Sequence, residues 1–206
     1  DLAGLTTWRG PANVTGFGHI IQNGDAHFTG DTTIAVGTYN MDGINLTTIT
    51  IDPNVTVTLD VQAIDTGTDG FDGTLNLNSS TIAVNTTDAW SMEGTTNMDT
   101  AADVARISGS QIVIVETLNT TGEGVAHIDA DAVIESDANL TVANNTTLKI
   151  NGTTSLKGGS FNTGPATTSE SLSRIELDGL THYDGGTITV SGVLRQNGDA
   201  SVNSDI

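Results

Sequence analysis

The sequence predicts an all-β chain, a right-handed parallel β-helix (β-solenoid) of about eight coils, and three observations predict it. Gly, Thr and Asn abound while aromatics make up 4% and Cys is absent. Thr and Val favour a pleated backbone and disfavour helix through their stiff χ1, and Gly, Asn and Asp supply tight turns. Short apolar/polar alternations recur with centres about eight residues apart, which fits a coil with three short faces. The pentapeptide Gln22-Asn23-Gly24-Asp25-Ala26 returns near the other end of the chain as Gln196-Asn197-Gly198-Asp199-Ala200. At 36% hydrophobic, much of it β-branched, the chain is rich enough to fold rather than stay disordered. The hand follows from the fold class.

The elements follow in order. Trp8 is the large apolar anchor of a Gly/Thr opening, and Thr32–Val36 is a short strand. Thr47–Ile51 and Val55–Val61 are the clearest strands, with Ile49, Ile51, Val55, Val57, Leu59 and Val61 inward and Asp52-Pro53-Asn54 as the turn. Leu75 and Leu77, Ile82 and Val84, and Ile112–Val115 continue the pattern. Thr100–Arg106 is the one candidate for a helical turn. Val125, Ile128, Val133, Ile134, Leu140, Val142, Leu148, Ile150 and Leu156 extend the inward series. Residues 160–173 are expected as a loop, after which Ile175, Leu177, Ile188 and Val190 resume.

The duplicated pentapeptide has upstream matches: Leu2, Gly4, Leu5, Thr6 and Gly10 face Leu177, Gly179, Leu180, Thr181 and Gly185. The chain therefore divides as one domain, 1–206, holding one repeat of roughly 175 residues (1–174) and the start of the next (175–206). Coils of about 25 residues, three short strands each with its turn, would give seven whole coils per repeat. The next repeat would then begin in the same rotational phase. Stacking at about 4.8 Å per coil sets an axial repeat of roughly 34 Å. Gln22, Asn23, Gly24, Asp25 and their counterparts Gln196, Asn197, Gly198, Asp199 should occupy equivalent coil positions and mark the joint for head-to-tail self-association through open strand edges.

Phrases such as Gly73–Val84 (GTLNLNSSTIAV) and Gly186–Leu194 (GTITVSGVL) resemble the repeats of long bacterial extracellular β-helical proteins, the autotransporter passenger domains and filamentous-haemagglutinin-like adhesins. The resemblance implies an extracellular or cell-surface structural or adhesive role and carries over no catalytic residue.

A formal charge of -19, from six Lys and Arg against 25 Asp and Glu, excludes nucleic acid as partner and favours divalent cations. No apolar run is long enough to cross a bilayer. Asp65, Asp69 and Asp72, hard oxygen ligands in the Gly-rich loop 65–73, are the candidate Ca²⁺ site, although their spacing is not that of an EF-hand. His19, His27, His127 and His182 lack metal-ligand spacing. The six cations are scattered along the chain and no carboxylate pair carries a hydrolase signature, so a non-enzymatic role is expected. Thr48-Ile-Thr50 and Thr56-Val-Thr58 resemble ice-binding ranks, but their spacing of eight places them on different faces. Ten Asn-x-Ser/Thr sequons, Asn45 and Asn151 among them, are acceptors only in a secretory setting. The alternative function is a glycan-binding module or viral fibre, with Trp8, Trp90 or Tyr183 as stacking platform.

Overall fold

The computed structural model describes residues 2–41, 48–61, 63–65, 71, 73–86, 89–163 and 173–202. Every regular element among them is a strand. The first three coils contain β1 (Thr6–Trp8), β2 (Ala12–Thr15) and β3 (His19–Ile21), then β4 (Ala26–Phe28), β5 (Thr32–Ala35) and β6 (Thr38–Asn40), then β7 (Thr48–Ile51), β8 (Thr56–Asp60) and β9 (Ala63–Asp65). The next three contain β10 (Thr74–Asn78), β11 (Thr81–Asn85) and β12 (Trp90–Met92), then β13 (Thr95–Asp99) and β14 (Ala105–Ile114), then β15 (Thr117–Thr121) and β16 (Val125–Ile134). The last contain β17 (Asn139–Val142), β18 (Thr147–Ile150) and β19 (Thr154–Leu156), then β20 (Gly159–Thr163), β21 (Arg174–Leu177) and β22 (Thr181–Tyr183), then β23 (Ile188–Ser191), β24 (Leu194–Gln196) and β25 (Ala200–Val202).

All ladders between them are parallel, and they define a three-faced β-solenoid. The first face stacks nine strands in the order β1-β4-β7-β10-β13-β15-β17-β20-β23, so the chain winds about eight turns. The second stacks β2-β5-β8-β11-β14-β16-β18-β21-β24. The third begins as β3-β6-β9, is continued by a bridge from Phe71 to Met92, and runs on through β12, the second halves of β14 and β16, then β19, β22 and β25. Turn length varies, from the short step between Thr181 and its partner Ala200 to the long one between Phe161 and its partner Val190.

Alternation sends one side of each strand into a continuous core. Along the first face Ala26, Ile49, Leu75, Thr96, Leu118, Leu140 and Phe161 stack rung upon rung, all buried. Each fully buried Leu, Ile or Phe contributes about 1.5–3 kcal/mol by leaving water. The expected strands at 32–36, 47–51 and 55–61 are present to within a residue or two, and the expected pairs Leu75/Leu77, Ile82/Val84, Leu140/Val142 and Leu148/Ile150 are buried in β10, β11, β17 and β18. Asn54 adopts a left-handed φ of 61° at the turn expected around Pro53.

Three expectations are corrected. Thr100–Arg106 is not helical: it is a corner leading into β14, and short polar side chains satisfy its backbone. Asp99 Oδ1 accepts from the Ala101 amide at 3.0 Å, and Thr100 Oγ1 bonds the next coil's Thr121 carbonyl and Gly124 amide. Residues 160–163 are strand rather than loop, because Phe161 fills the core; residues 164–172 lie outside the described ones. The inward positions of β16 are Ala126, Ile128, Ala130, Ala132 and Ile134, so Val125 and Val133 both face outward.

Candidate functional site

The two pentapeptides build the same corner. Leu2 bridges to Gln22 and Thr6 pairs with Ala26, as Leu177 pairs with Gln196 and Thr181 with Ala200. In each copy the Gln side chain turns back under its own corner. Gln22 Nε2 donates to the carbonyls of Gly24 (2.7 Å) and Asp25 (3.5 Å), and Gln196 Nε2 donates to those of Gly198 (3.1 Å) and Asp199 (3.0 Å). Each Gln Oε1 accepts from a tyrosine hydroxyl, Tyr39 in the first copy and Tyr183 in the second. A buried amide is tolerated because these partners replace water. A Cβ on Gly24 would collide with the Gly4 carbonyl, and one on Gly198 with that of Gly179, so this corner stacks tightly enough to demand glycine. Asn197 Nδ2 reaches Asp178 Oδ1 at 2.5 Å, and Asp25 Oδ1 accepts from the Thr48 amide at 3.0 Å, each tying its corner to a neighbouring coil.

The expected phase is corrected, however. In the first copy the chain crosses from the third face to the first, from Gln22 into β4. In the second it crosses from the second face to the third, from β24 into β25. From β1 to β20 the chain completes seven turns, and β22, the counterpart of β1, lies two faces further on. The repeat therefore spans seven and two-thirds turns, not seven, because the coils are on average shorter than the alternation suggested.

Among the described residues, no strand lies over β1, β2 and β3 at one end or over β23, β24 and β25 at the other. All seven exposed large apolar residues among the described ones lie in the first coil (Leu5, Phe17, Ile21) or after Leu177 (Leu180, Val190, Val193, Val202). Leu5 and Leu180 occupy the same position of the repeat.

Of the other anticipated residues, Asp65, Trp8, Trp90 and Tyr183 are among the described ones. Asp65 lies in β9 beside Asn40 of the coil below, while Asp69 and Asp72 lie outside the described residues. Among the described residues no three His, Cys, Asp or Glu side chains converge as a metal site. Trp90 is 1% exposed, a core residue of the third face that presents no surface for a sugar. Trp8 and Tyr183 hold equivalent, inward-facing places in β1 and β22. Trp8 stacks on Phe28 of the next coil at 5.7 Å and 7°, so neither joins Trp90 in a platform.

Two features of the outer surface were not legible in the sequence. On the second face, coil stacking aligns Arg106, His127, Lys149, Glu176 and Arg195 in one row. Cations scattered along the chain thus gather in space. Arg106 pairs with Asp129, and Lys149 contacts Glu176 (3.0 Å) and Asp178 (3.7 Å). Glu176 is 3% exposed and also bonds Arg174 at 2.5 Å. Burial opposes its ionisation, but the hydrogen bonds from Arg174 and Lys149 hold its carboxyl below the usual carboxylate range. The Glu176 hydrogen bond in turn raises the Lys149 pKa, and burial together with Arg106 and Lys149 lowers that of His127. The row spends its charge internally, as an ion-pair ladder.

The first face is the converse. Two of its outward columns over seven rungs read Thr48/Thr50, Thr74/Asn76, Thr95/Asn97, Thr117/Asn119, Asn139/Thr141, Ser160/Asn162 and Thr189/Ser191, with a shorter third column of Asn78, Asp99 and Thr121 beside them. No charge falls in these first two columns, in a chain of net charge -19. Asn97 Nδ2 donates to Asn76 Oδ1 (2.9 Å) and Asn119 Nδ2 to Asn97 Oδ1 (3.0 Å), a side-chain ladder parallel to the backbone one. Thr56 and Thr58 lie on the second face, as their spacing from Thr48 and Thr50 requires.

Fold and corners define a parallel β-solenoid with a duplicated corner. Compared with known proteins, the chain matches no protein family, no curated protein and no solved structure.

Proposed function

We propose that the chain is a non-enzymatic structural module of an extracellular surface fibre, filament or adhesin, extended end to end through its open coil edges. The observation that carries this reading is the confinement of every exposed large apolar side chain, among the described residues, to the two ends. The sides expose carboxylates in excess of cations together with neutral hydroxyls and amides, and no large apolar group among the described residues, while the ends offer strand edges over Val190 and Val202. The next unit is either a further repeat of the same polypeptide or a second copy. The extracellular setting rests on the resemblance of its repeats to bacterial β-helical surface proteins. Calcium bound at Asp65, Asp69 and Asp72 would brace the loop 65–73, a reading supported by three hard carboxylates in a glycine-rich stretch.

Electron microscopy of the purified chain, with and without chelator, tests the proposal. The expected result is filaments whose width is that of one solenoid and which are lost on Val190→Glu with Val202→Glu. Loss on chelation would assign a stabilising cation. Discrete single particles under all conditions would overturn noncovalent extension.

A second reading, glycan binding, draws its support from the uncharged Thr/Asn strip rather than from aromatic stacking. Hydroxyls and amides at two outward positions per rung match the donors and acceptors of a neutral polysaccharide. Retention of the chain on neutral polysaccharide, lost on Thr95→Lys with Thr117→Lys, is the result that would favour it.

A further inference from the structure

The duplicated joint fixes how one unit follows another. Resting on the fibre reading above, we infer that successive units stack with a rotation of one face: the strand that begins the first face of one unit begins the third face of the next. The partner is a second copy of this same unit.

The ladders carry the argument. β22, β23, β24 and β25 stand where β1, β2, β3 and β4 stand in the repeat, and in the first copy β2 is covered by β5, β3 by β6 and β4 by β7. The open edges at the far end are β23, β24 and β25. A continuing unit therefore lays its β5-like strand on the first face, its β6-like strand on the second and its β7-like strand on the third. Each free edge meets the strand type that already covers its counterpart, and no rung is left over. The fit holds only with the faces permuted. Retaining the original phase would place a β4-like strand over β23, a pairing found nowhere in the described structure.

One unit then rises seven and two-thirds coils, about 37 Å at about 4.8 Å per coil, and the original azimuth returns after three units, about 110 Å. The uncharged strip and the ion-pair row each move to a new side of the fibre at every joint.

The chain has no cysteine, so paired cysteines report contacts without background. In a tandem chain in which residues 1–175 precede the full 1–206, the second unit's β1 takes the place of β22. Ser155 pairs with His182, the counterpart of Thr7. Ser155→Cys in the first unit should therefore oxidise to a disulfide with Thr7→Cys in the second. Without rotation the second unit's Thr7 would lie instead over Asn162, on the first face. Cross-linking of the Ser155/Thr7 pair supports the rotation. Cross-linking of an Asn162/Thr7 cysteine pair overturns it and leaves the fibre reading standing. Failure of both pairs, in a chain whose circular dichroism reports intact β structure, overturns the joint and the fibre reading together.

Discussion

The side-chain amide of Gln22, wholly buried, donates to the carbonyl of Gly24 at 2.7 Å, two residues along the same chain. The contact closes a corner in which the Gly24 carbonyl is bonded within buried surroundings. Gln22→Leu keeps the bulk but removes the side-chain donor to the Gly24 carbonyl, while that of Asp25 keeps the Thr6 amide at 2.8 Å, and should cost about 1–3 kcal/mol in denaturant unfolding. Gln196→Leu, in a half-exposed copy of the corner, should cost less. Equal losses would count against burial as the cause.

Gly24→Ala should be worse than either. Its Cβ meets the Gly4 backbone directly, and two stacked coils must separate to admit it. A drop in the unfolding midpoint larger than that of Gln22→Leu is the expected outcome. An unchanged midpoint would refute the close approach.

Glu176 sets the acid limit of the second face. Its folded pKa lies below the unfolded value, so its contribution is complete above about pH 4.3 and disappears as pH falls through the lower folded value. Glu176→Gln should flatten the acid limb of stability against pH. It should also cost roughly 1–3 kcal/mol at pH 7, since the surrounding cations are partly solvated and keep water as an alternative. An unaltered acid limb would remove Glu176 from this role.

Tyr39 sets the alkaline limit. Burial raises its phenol pKa well above 10, so the unfolded chain ionises first as pH rises. Stability from this group is complete below about pH 10 and is lost above it. Tyr39→Phe should change neutral stability by about 1 kcal/mol or less, given the 3.4 Å bond to Gln22, and should blunt alkaline unfolding. Identical alkaline profiles would contradict this.

Asn97 occupies the middle of the amide ladder, donating to Asn76 and accepting from Asn119. Asn97→Ala breaks two side-chain bonds where Asn119→Ala breaks one, so the former should cost about twice the latter, on the order of 1–2 kcal/mol. Asn97→Asp should cost more still at neutral pH, because a carboxylate would face the Asn76 Oδ1. Protonating it at low pH should recover part of the loss.

The period-two pattern made most strands legible. It was strong wherever Ile, Val or Leu fill the inward places, as in Ile49/Ile51 and Leu148/Ile150. It weakened in β16, whose inward series includes Ala126, Ala130 and Ala132, small residues that carry no strand signal. It failed at β20, where Gly159 and Ser160 hide a strand anchored by Phe161. The joint was legible because its glycines and buried glutamine admit few substitutes. Its phase was not, since turns as unequal as Thr6 to Ala26 and Phe161 to Val190 leave the number of turns in a repeat undetermined by its length. The same irregularity concealed the row from Arg106 to Arg195. Each member is one turn from the next, but the sequence intervals between them are unequal.

The uncapped edges also dictate how the fold begins. An isolated coil must close a long loop with no strand beneath it, and by loop-closure entropy alone that step is uphill. Every later coil finds a finished template and gains three strands' worth of ladder and core for the same closure. Folding of such a molecule is a zipper with a costly nucleus: slow to start, rapid to propagate, and able to advance from any completed rung in either direction. On the proposed fibre reading, a preformed fragment would then be a seed, and shearing would multiply the sites from which the next fibre grows.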